Sequence, residues 1–336
     1  MANPSYTRNQ TCFPVLESVF GTAVTPVGAD ACLITSFTTQ AAQQEIPRTD
    51  KTGSLGEILG IPGRRTASWS ASMSAAGNGA AGVVPDMDVF LQLIFGKAAT
   101  IVSSTSATYA LDDTQYSGSL WNYNDPSTAC QYAAIGAVAN QLRVGIGGDI
   151  PTLDFSGPAL WVPDTDQIAD GSTDAIAKGG ITSWPAKPTA VVNGKPPAGF
   201  TGVVTLDGNA YGTMRTATIS LGVAKELPGD VFNSFYSAAP APGLRTVAVD
   251  FSIYADDGAN LLSLKQKAMK AVYTTVDLVF QVGTVAGNIW TWTLKNVKLP
   301  APTQDYGGNR LSLGFSGCRA HDTSIGAKDA LKLVIT

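Results

Sequence analysis

The sequence predicts a mainly β fold of the α+β kind, built as two tandem β-sandwich domains with one flanking helix each. Two segments, 66–74 and 246–254, alternate strictly between polar and apolar residues, which is the period of a strand with one wet face and one buried face. The same short motifs precede both segments in the same order, and repetition of this kind points to a duplicated unit. Hydrophobic residues make up 44% of 336, so each copy has enough apolar material for its own core.

Taken along the chain, strands are expected at 33–39, 66–75 and 140–147 in the first copy. The second copy is expected to hold strands at 214–223, 246–254, 275–282, 289–295 and 310–316. Between Pro85 and Gly96 the pattern changes to helical spacing, with Val89, Phe90, Leu93 and Ile94 on one side. A proline and early acids suit the first turn of a helix, and a glycine suits its stop. In the second copy the turn residues Asp257, Gly258 and Asn260 lead into Leu261, Leu262 and Leu264, a helix that runs on through Ala271.

The repeat carries the domain assignment. Gln43-Gln-Glu-Ile-Pro47 is followed by Pro62-Gly-Arg-Arg-Thr66, and Ala224-Lys-Glu-Leu-Pro228 by Pro242-Gly-Leu-Arg-Thr246. Thr152-Leu-Asp-Phe-Ser-Gly157 matches Ser312-Leu-Gly-Phe-Ser-Gly317, with Leu153 and Phe155 corresponding to Leu313 and Phe315 as inward residues. The expected organisation is a first domain over 1–160, a Pro- and Gly-rich connector over 161–199 and a second domain over 200–336. The connector's composition suits an extended or flexible segment and no further core.

Charge narrows the function. Charged residues are only 14%, against about 25% in an ordinary soluble domain, and the net charge is −4. An acidic, charge-poor chain is a poor binder of phosphate backbones. Scarce surface charge instead suggests that much of the exterior is covered in an assembly. No apolar run approaches the length of a membrane span, and the amino terminus lacks the apolar stretch of a secretory signal.

Catalytic signals are weak. Cys12, Cys32, Cys130 and Cys318 show no metal-ligand spacing and are expected as buried free thiols, or as a pair that meets in the fold. His321, the single histidine, lies in a polar stretch expected to be a surface loop. Asp112-Asp113 and Asp256-Asp257 sit beside turn residues and mark turns better than an acid–base couple. No nucleophile-elbow, phosphate-loop or dinucleotide motif is present. The expectation is a protein that is not an enzyme and needs no cofactor or metal.

The order of several motifs then carries a resemblance. Glu17-Ser-Val-Phe-Gly-Thr-Ala23 is followed by Gly53-Ser-Leu-Gly56, Gly63-Arg-Arg-Thr-Ala-Ser-Trp-Ser70 and Gly79-Ala-Ala-Gly-Val-Val-Pro-Asp86. Gly136-Ala-Val-Ala-Asn-Gln-Leu-Arg-Val-Gly-Ile-Gly-Gly-Asp-Ile-Pro-Thr-Leu-Asp-Phe-Ser-Gly157 closes the series. The chain resembles the tail tube protein family of long, non-contractile-tailed bacteriophages over most of 15–160. The second half joins through the repeat.

The resemblance implies a virion structural protein of the tail, assembled in the host cytoplasm. Sandwich domains would form stacked rings whose strands close an inner β-barrel, the conduit for genome ejection. Six tube domains per ring is the usual number, so a duplicated chain implies homotrimeric rings with pseudo-sixfold symmetry. Implied partners are the tape measure protein, the tail terminator and distal tail proteins, with double-stranded DNA passing through unbound and no membrane involved. Lumen-facing residues would be Ser68, Ser70, Ser72, Ser74, Asp250 and Ser252. Inter-ring loops would carry Arg48, Asp50, Lys51, Leu55 and Glu57, and Asp230, Phe232, Phe235 and Tyr236. A hydroxylated, mildly acidic wall without a lysine or arginine stripe suits DNA that must slide.

Two other classes compete. A β-sandwich binding or adhesive virion protein would display exposed aromatics, for which Trp290 and Trp292 on one strand face are the candidates, although core packing suits them better. A hydrolase with an unrecognised carboxylate pair is the weaker rival.

Overall fold

The computed structural model describes residues 7–51, 58–125, 130–165, 183–211, 214–228, 239–256, 258–270 and 274–336. The fold is mainly β, with two α-helices among the described residues. In chain order the first half holds β1 (Gln10–Leu16), β2 (Ser36–Ile46), β3 (Ile61–Ser74), helix α1 (Asp88–Phe95), β4 (Thr100–Val102) and β5 (Ser106–Ala110). It continues with β6 (Gly118–Asn124), β7 (Tyr132–Ala137), β8 (Gln141–Ile146) and β9 (Thr152–Ala159). After the connector come β10 (Gly202–Leu206), β11 (Asn209–Ala210), β12 (Met214–Val223), β13 (Arg245–Tyr254) and helix α2 (Ala259–Met269). The chain ends with β14 (Thr275–Val282), β15 (Trp290–Lys298), β16 (Thr303–Asp305), β17 (Ser312–Ala320) and β18 (Leu331–Ile335).

Four strands of each half form one layer. The first set runs β2-β3-β9-β8, and the second runs β12-β13-β17 with β16 on the far side of β17. The two sets pair in matching registers. Thr38 lies opposite Ser70 and Thr218 opposite Asp250, each displaced by 180 residues. Phe155 lies opposite Ala71 and Leu142, and Phe315 lies opposite Phe251. Asp154 pairs Arg143 as Gly314 pairs Thr303, displaced by 160. The sets are not separate: β8 pairs antiparallel with β12 from Gln141↔Gly222 to Ile146↔Ala217, so one sheet runs through both halves.

The second layer differs between the halves. In the first, β1-β6-β7 forms its own three-stranded sheet. In the second, β10, β14 and β15 lie side by side in the same relation, and β18 pairs with β15. The other edge of β18 pairs with β5 of the first half, from Lys332↔Ala110 to Ile335↔Ala107. The C-terminal strand thus joins the two halves a second time.

The core lies between these layers and the helices. Trp69, Ala71, Met73, Leu153 and Phe155 are buried on one face of the long sheet, as are Val247, Val249, Phe251 and Ile253. Helix α1 covers the first set. Phe90 packs between Trp69 and Phe155, at ring separations of 5.7 and 5.4 Å. The helix stops at Gly96, whose φ of 71° is left-handed, and a Cβ there would meet the Asp112 carbonyl at 2.5 Å. It starts at Asp88, three residues beyond the expected Pro85, and its carboxylate accepts bonds from the Tyr109 hydroxyl (2.6 Å) and the Gln92 amide (2.7 Å).

Of the connector, residues 183–200 are described, and they form an extended strap against the first half. Trp184 packs edge-on to Trp121 at 5.0 Å, and the Tyr123 hydroxyl donates to the Pro185 carbonyl. Val191 N–H donates to Gly28, and the Asp86 carboxylate accepts from the N–H groups of Asn193 and Gly194.

Glu17, the first residue of the Glu17–Ala23 motif, is buried and fully used. Its two oxygens accept from the Gly21 and Gly136 N–H groups, each at 2.8 Å, and from the Ser117 (2.8 Å) and Ser119 (2.7 Å) hydroxyls. One carboxylate thereby ties β6 and β7 to the loop after β1. Glu17→Ala leaves four buried donors without their acceptor and is expected to lower unfolding stability in urea by at least about 3 kcal/mol. Ser70→Ala, on the wet face, should change it by about 0.5 kcal/mol or less.

Candidate functional site

The outer face of the long sheet is lined by short polar side chains. Ser68, Ser70, Ser72 and Ser74 stand on one face of β3, where Ser70 lies opposite Ser156 of β9. Ser156 lies opposite Gln141, Gln141 opposite Gly222, and Gly222 opposite Thr246. Directly opposed residues share a face, so Asp250 and Ser252, in step with Thr246 on β13, share the face of the four serines. The six residues expected on one wall are therefore brought onto one face of one sheet.

Hydroxyls on this face pair with each other. Thr38 and Ser70 are 2.7 Å apart, and Thr216 and Ser252 are 2.9 Å apart. In three places a threonine Oγ1 fills the space where an opposing glycine lacks a Cβ: Thr152 at Gly145, Thr246 at Gly222 and Thr303 at Gly314. The side chains there lie low, and little stands up from the sheet.

Asp250 has a local task as well as an exposed position. Opposite it, β17 carries one extra residue, since Val249 faces Cys318 while Phe251 faces Phe315. Gly317 takes a φ of 73° in this bulge, and its N–H donates to the Asp250 carboxylate at 2.6 Å. The first half has no such bulge, and serine stands at the matching position, Ser70.

The face also carries arginines, which the expected hydroxyl-and-carboxylate wall did not include. Arg143 lies directly opposite Asp154, and Arg215 reaches Asp305 at 3.8 Å. Arg319 lies opposite Ala248. Two of the three have a carboxylate partner position, and they are separated along and across the sheet rather than aligned. The alternation of Gln141-Leu-Arg-Val-Gly-Ile146 was the signal that places Arg143 there.

Both ends of the long sheet are open: among the described residues, β2 pairs only with β3, and β16 only with β17. The β2–β3 hairpin extends beyond the sheet, with residues 40–51 exposed along its first arm. Arg48, Asp50 and Lys51 lie there, with the Arg48 Nε donating to Asp50 at 2.8 Å. Exposed Ile46, Leu59 and Ile61 add apolar surface. Leu55, Glu57, Asp230, Phe232, Phe235 and Tyr236 lie outside the described residues.

Where the halves meet, the β12–β13 hairpin folds over the end of α1. Lys225 is buried, and its Nζ donates to the Leu93 carbonyl in the last turn of the helix at 2.6 Å. The Asn140 side-chain amide donates to the Lys225 carbonyl. Arg245 donates to the Asp112 carbonyl and, at 3.0 Å, to the Asp113 carboxylate. Lys328 bonds both carboxylates, and its hydrogen bonds hold them below the usual carboxylate range. Asp112-Asp113 is thus a structural junction.

The remaining chemical candidates are accounted for by packing. Cys12 and Cys32 face each other across a β-bridge as free, buried thiols, with burial pushing both up. Cys318 is buried, Cys130 is exposed and His321 is exposed. Trp290 and Trp292 are stacked 6.2 Å apart in the core, so neither offers a sugar platform. Among the described residues no cluster of three or more His, Cys, Asp or Glu could hold a metal, and no helix is long and apolar enough to cross a membrane.

Burial, and then the nearby Arg245 guanidinium, pushes the Lys225 ammonium down to about 8. Between pH 8 and 10.5 the folded chain then holds fewer protons than the unfolded chain, so this group's contribution to stability rises with pH across that window. Lys225→Met abolishes the rise. Measured by urea unfolding, the wild type should gain on the variant by on the order of 2 kcal/mol from pH 8 to pH 10.5. No family model matches the chain, and no curated protein sequence matches it.

Proposed function

We propose that the chain is a structural subunit of a phage tail tube, in which two copies of one domain per chain build stacked rings around a β-barrel conduit for genome ejection. The β8–β12 seam carries the reading. It joins the last strand of one four-strand set to the first strand of the next, and leaves the same kinds of edge, β2 and β16, open at the two ends. Repeating that step from chain to chain adds sets in one rotational sense until the ring closes. Closure removes both edges, the standing hazard of an open sheet.

The matching registers specify the missing seam. Within the chain, Arg143 of β8 faces Ser220 of β12, and Gly145 faces Thr218. Carried over by the displacements of 160 and 180 residues, Thr303 of one chain faces Gln40 of the next, and Asp305 faces Thr38. The hydroxyl-rich face then lies on the inside of the ring, with sandwich and helices outside. Short, mutually bonded side chains and separated arginines give sliding DNA little to grip. The exposed β2–β3 hairpin, with its apolar residues, is left to reach an adjacent ring.

Two measurements test this. Averaged end-on electron micrographs of the purified protein should show rings of three chains; six chains would overturn the pseudo-sixfold trimer. Gln40→Cys combined with Thr303→Cys should yield chain-to-chain disulfides on oxidation, because directly opposed strand residues lie about 4.5–5.5 Å apart at Cα. Monodisperse monomers at every concentration, with no cross-link, would sink the reading.

A further inference from the structure

The seam within the chain has a second layer of contact. The hairpin of the second half lays Lys225 on the C-terminal end of α1, whose last turn has no basic residue. The matching position in the first hairpin is Glu45. Gln43↔Arg65 and Val223↔Arg245 are displaced by 180 residues, as are Ile46↔Ile61 and Glu226↔Ala241, and Glu45 and Lys225 lie between these pairs. Charge at the position is reversed between the halves.

The helix ends are reversed to match. The last turn of α2 contains Lys267, its C-cap residue is Lys270, and Lys270 is exposed. Lys267 is engaged by Asp207, which leaves Lys270 as the outward cation. Beside it Met269 is 64% exposed, a large apolar side chain at a helix end. At the base of the first hairpin, Ala41, Ala67, Leu160, Trp161 and Val162 help line an open groove of about 190 Å³. In the second half, the corresponding side of the hairpin is where the end of α1 sits.

We propose that this groove receives the C-terminal end of α2 from a second copy of the chain, with Met269 against Trp161 and Lys270 opposite Glu45. The contact rests on the ring reading above and continues the established seam, with the helix and hairpin in the relation that α1 and Lys225 already show. The Glu45 carboxylate accepts the Gly60 N–H at 3.1 Å, which holds it at the hairpin base. Reversed charges make the two seams non-interchangeable. A first hairpin on an α1 end would set Glu45 against bare carbonyls, and a second hairpin on an α2 end would set Lys225 against lysines. Like-charge contacts of this kind discriminate between partners, so halves alternate around the ring.

The test uses the full chain, with assembly followed by sedimentation velocity and micrographs. Glu45→Lys and Lys270→Glu should each raise the half-assembly concentration by about tenfold, and the two together in one chain should return it to within about twofold of wild type. Both residues are exposed, so circular-dichroism melts of the monomers should be unchanged, and Glu45→Gln should fall between wild type and Glu45→Lys. If rings form and Glu45→Lys assembles like wild type, the helix–hairpin contact is wrong and the ring reading stands. If both single variants weaken assembly but the double variant does not recover, the residues do not face each other and the pairing is overturned. A wild-type chain that never assembles removes the ring reading and this contact with it.

Discussion

Hydrogen bonding across the β8–β12 seam is the constraint on which the rest of the molecule depends. A four-strand layer has two unpaired edges, and buried or exposed backbone groups must find partners somewhere. Here each set satisfies one edge against its neighbour within the chain. Everything packed on that layer, from α1 to the Arg245–Asp113–Lys328 junction, is placed relative to the seam. The same step that relieves one edge displaces the need to the outer strands β2 and β16.

Division of labour between the two faces follows from the strand period. On one face Phe155, Phe251 and Phe315 fill the core, and Phe251 stacks on Phe315 at 4.8 Å. On the other, hydroxyls bond to each other across strands and a bulge is stabilised by Asp250. A one-residue slip would invert the faces, so the buried aromatics fix the register of the polar side. The wet face is thus specified by residues that never touch it.

Much of this layer was legible because its signals are local. Alternation at 66–74 and 246–254, the Gly96 stop and the matched Leu153/Phe155 and Leu313/Phe315 all report structure within one strand or helix. What escaped depends on distant partners. Strand β6 is buried on both faces, so Gly118–Asn124 shows no alternation. The β5–β18 pairing joins residues 222 to 228 positions apart, and β4 and β5 are short. The strap at 183–200 reads as loop because its bonds go to Gly28 and Asp86. Lys225 gives no sign of burial in sequence, since the Leu93 carbonyl that receives it lies 132 residues away. Arg143 was readable from its strand, but its face became clear only through Asp154 and Ser220 opposite.

The C-terminal strand sets an order of events for a chain made from its amino end. Strand β5 emerges early, yet its partner β18 is the last strand synthesised. Until then the first half carries an unpaired strand edge while more than two hundred further residues are added. Synthesis that stops short of Leu331 leaves that edge open permanently and also uncovers one side of β15, where Trp290 and Trp292 lie opposite Ile335 and Leu333. The final few residues therefore act as a completeness check: only a chain translated to its end can seal both halves at once.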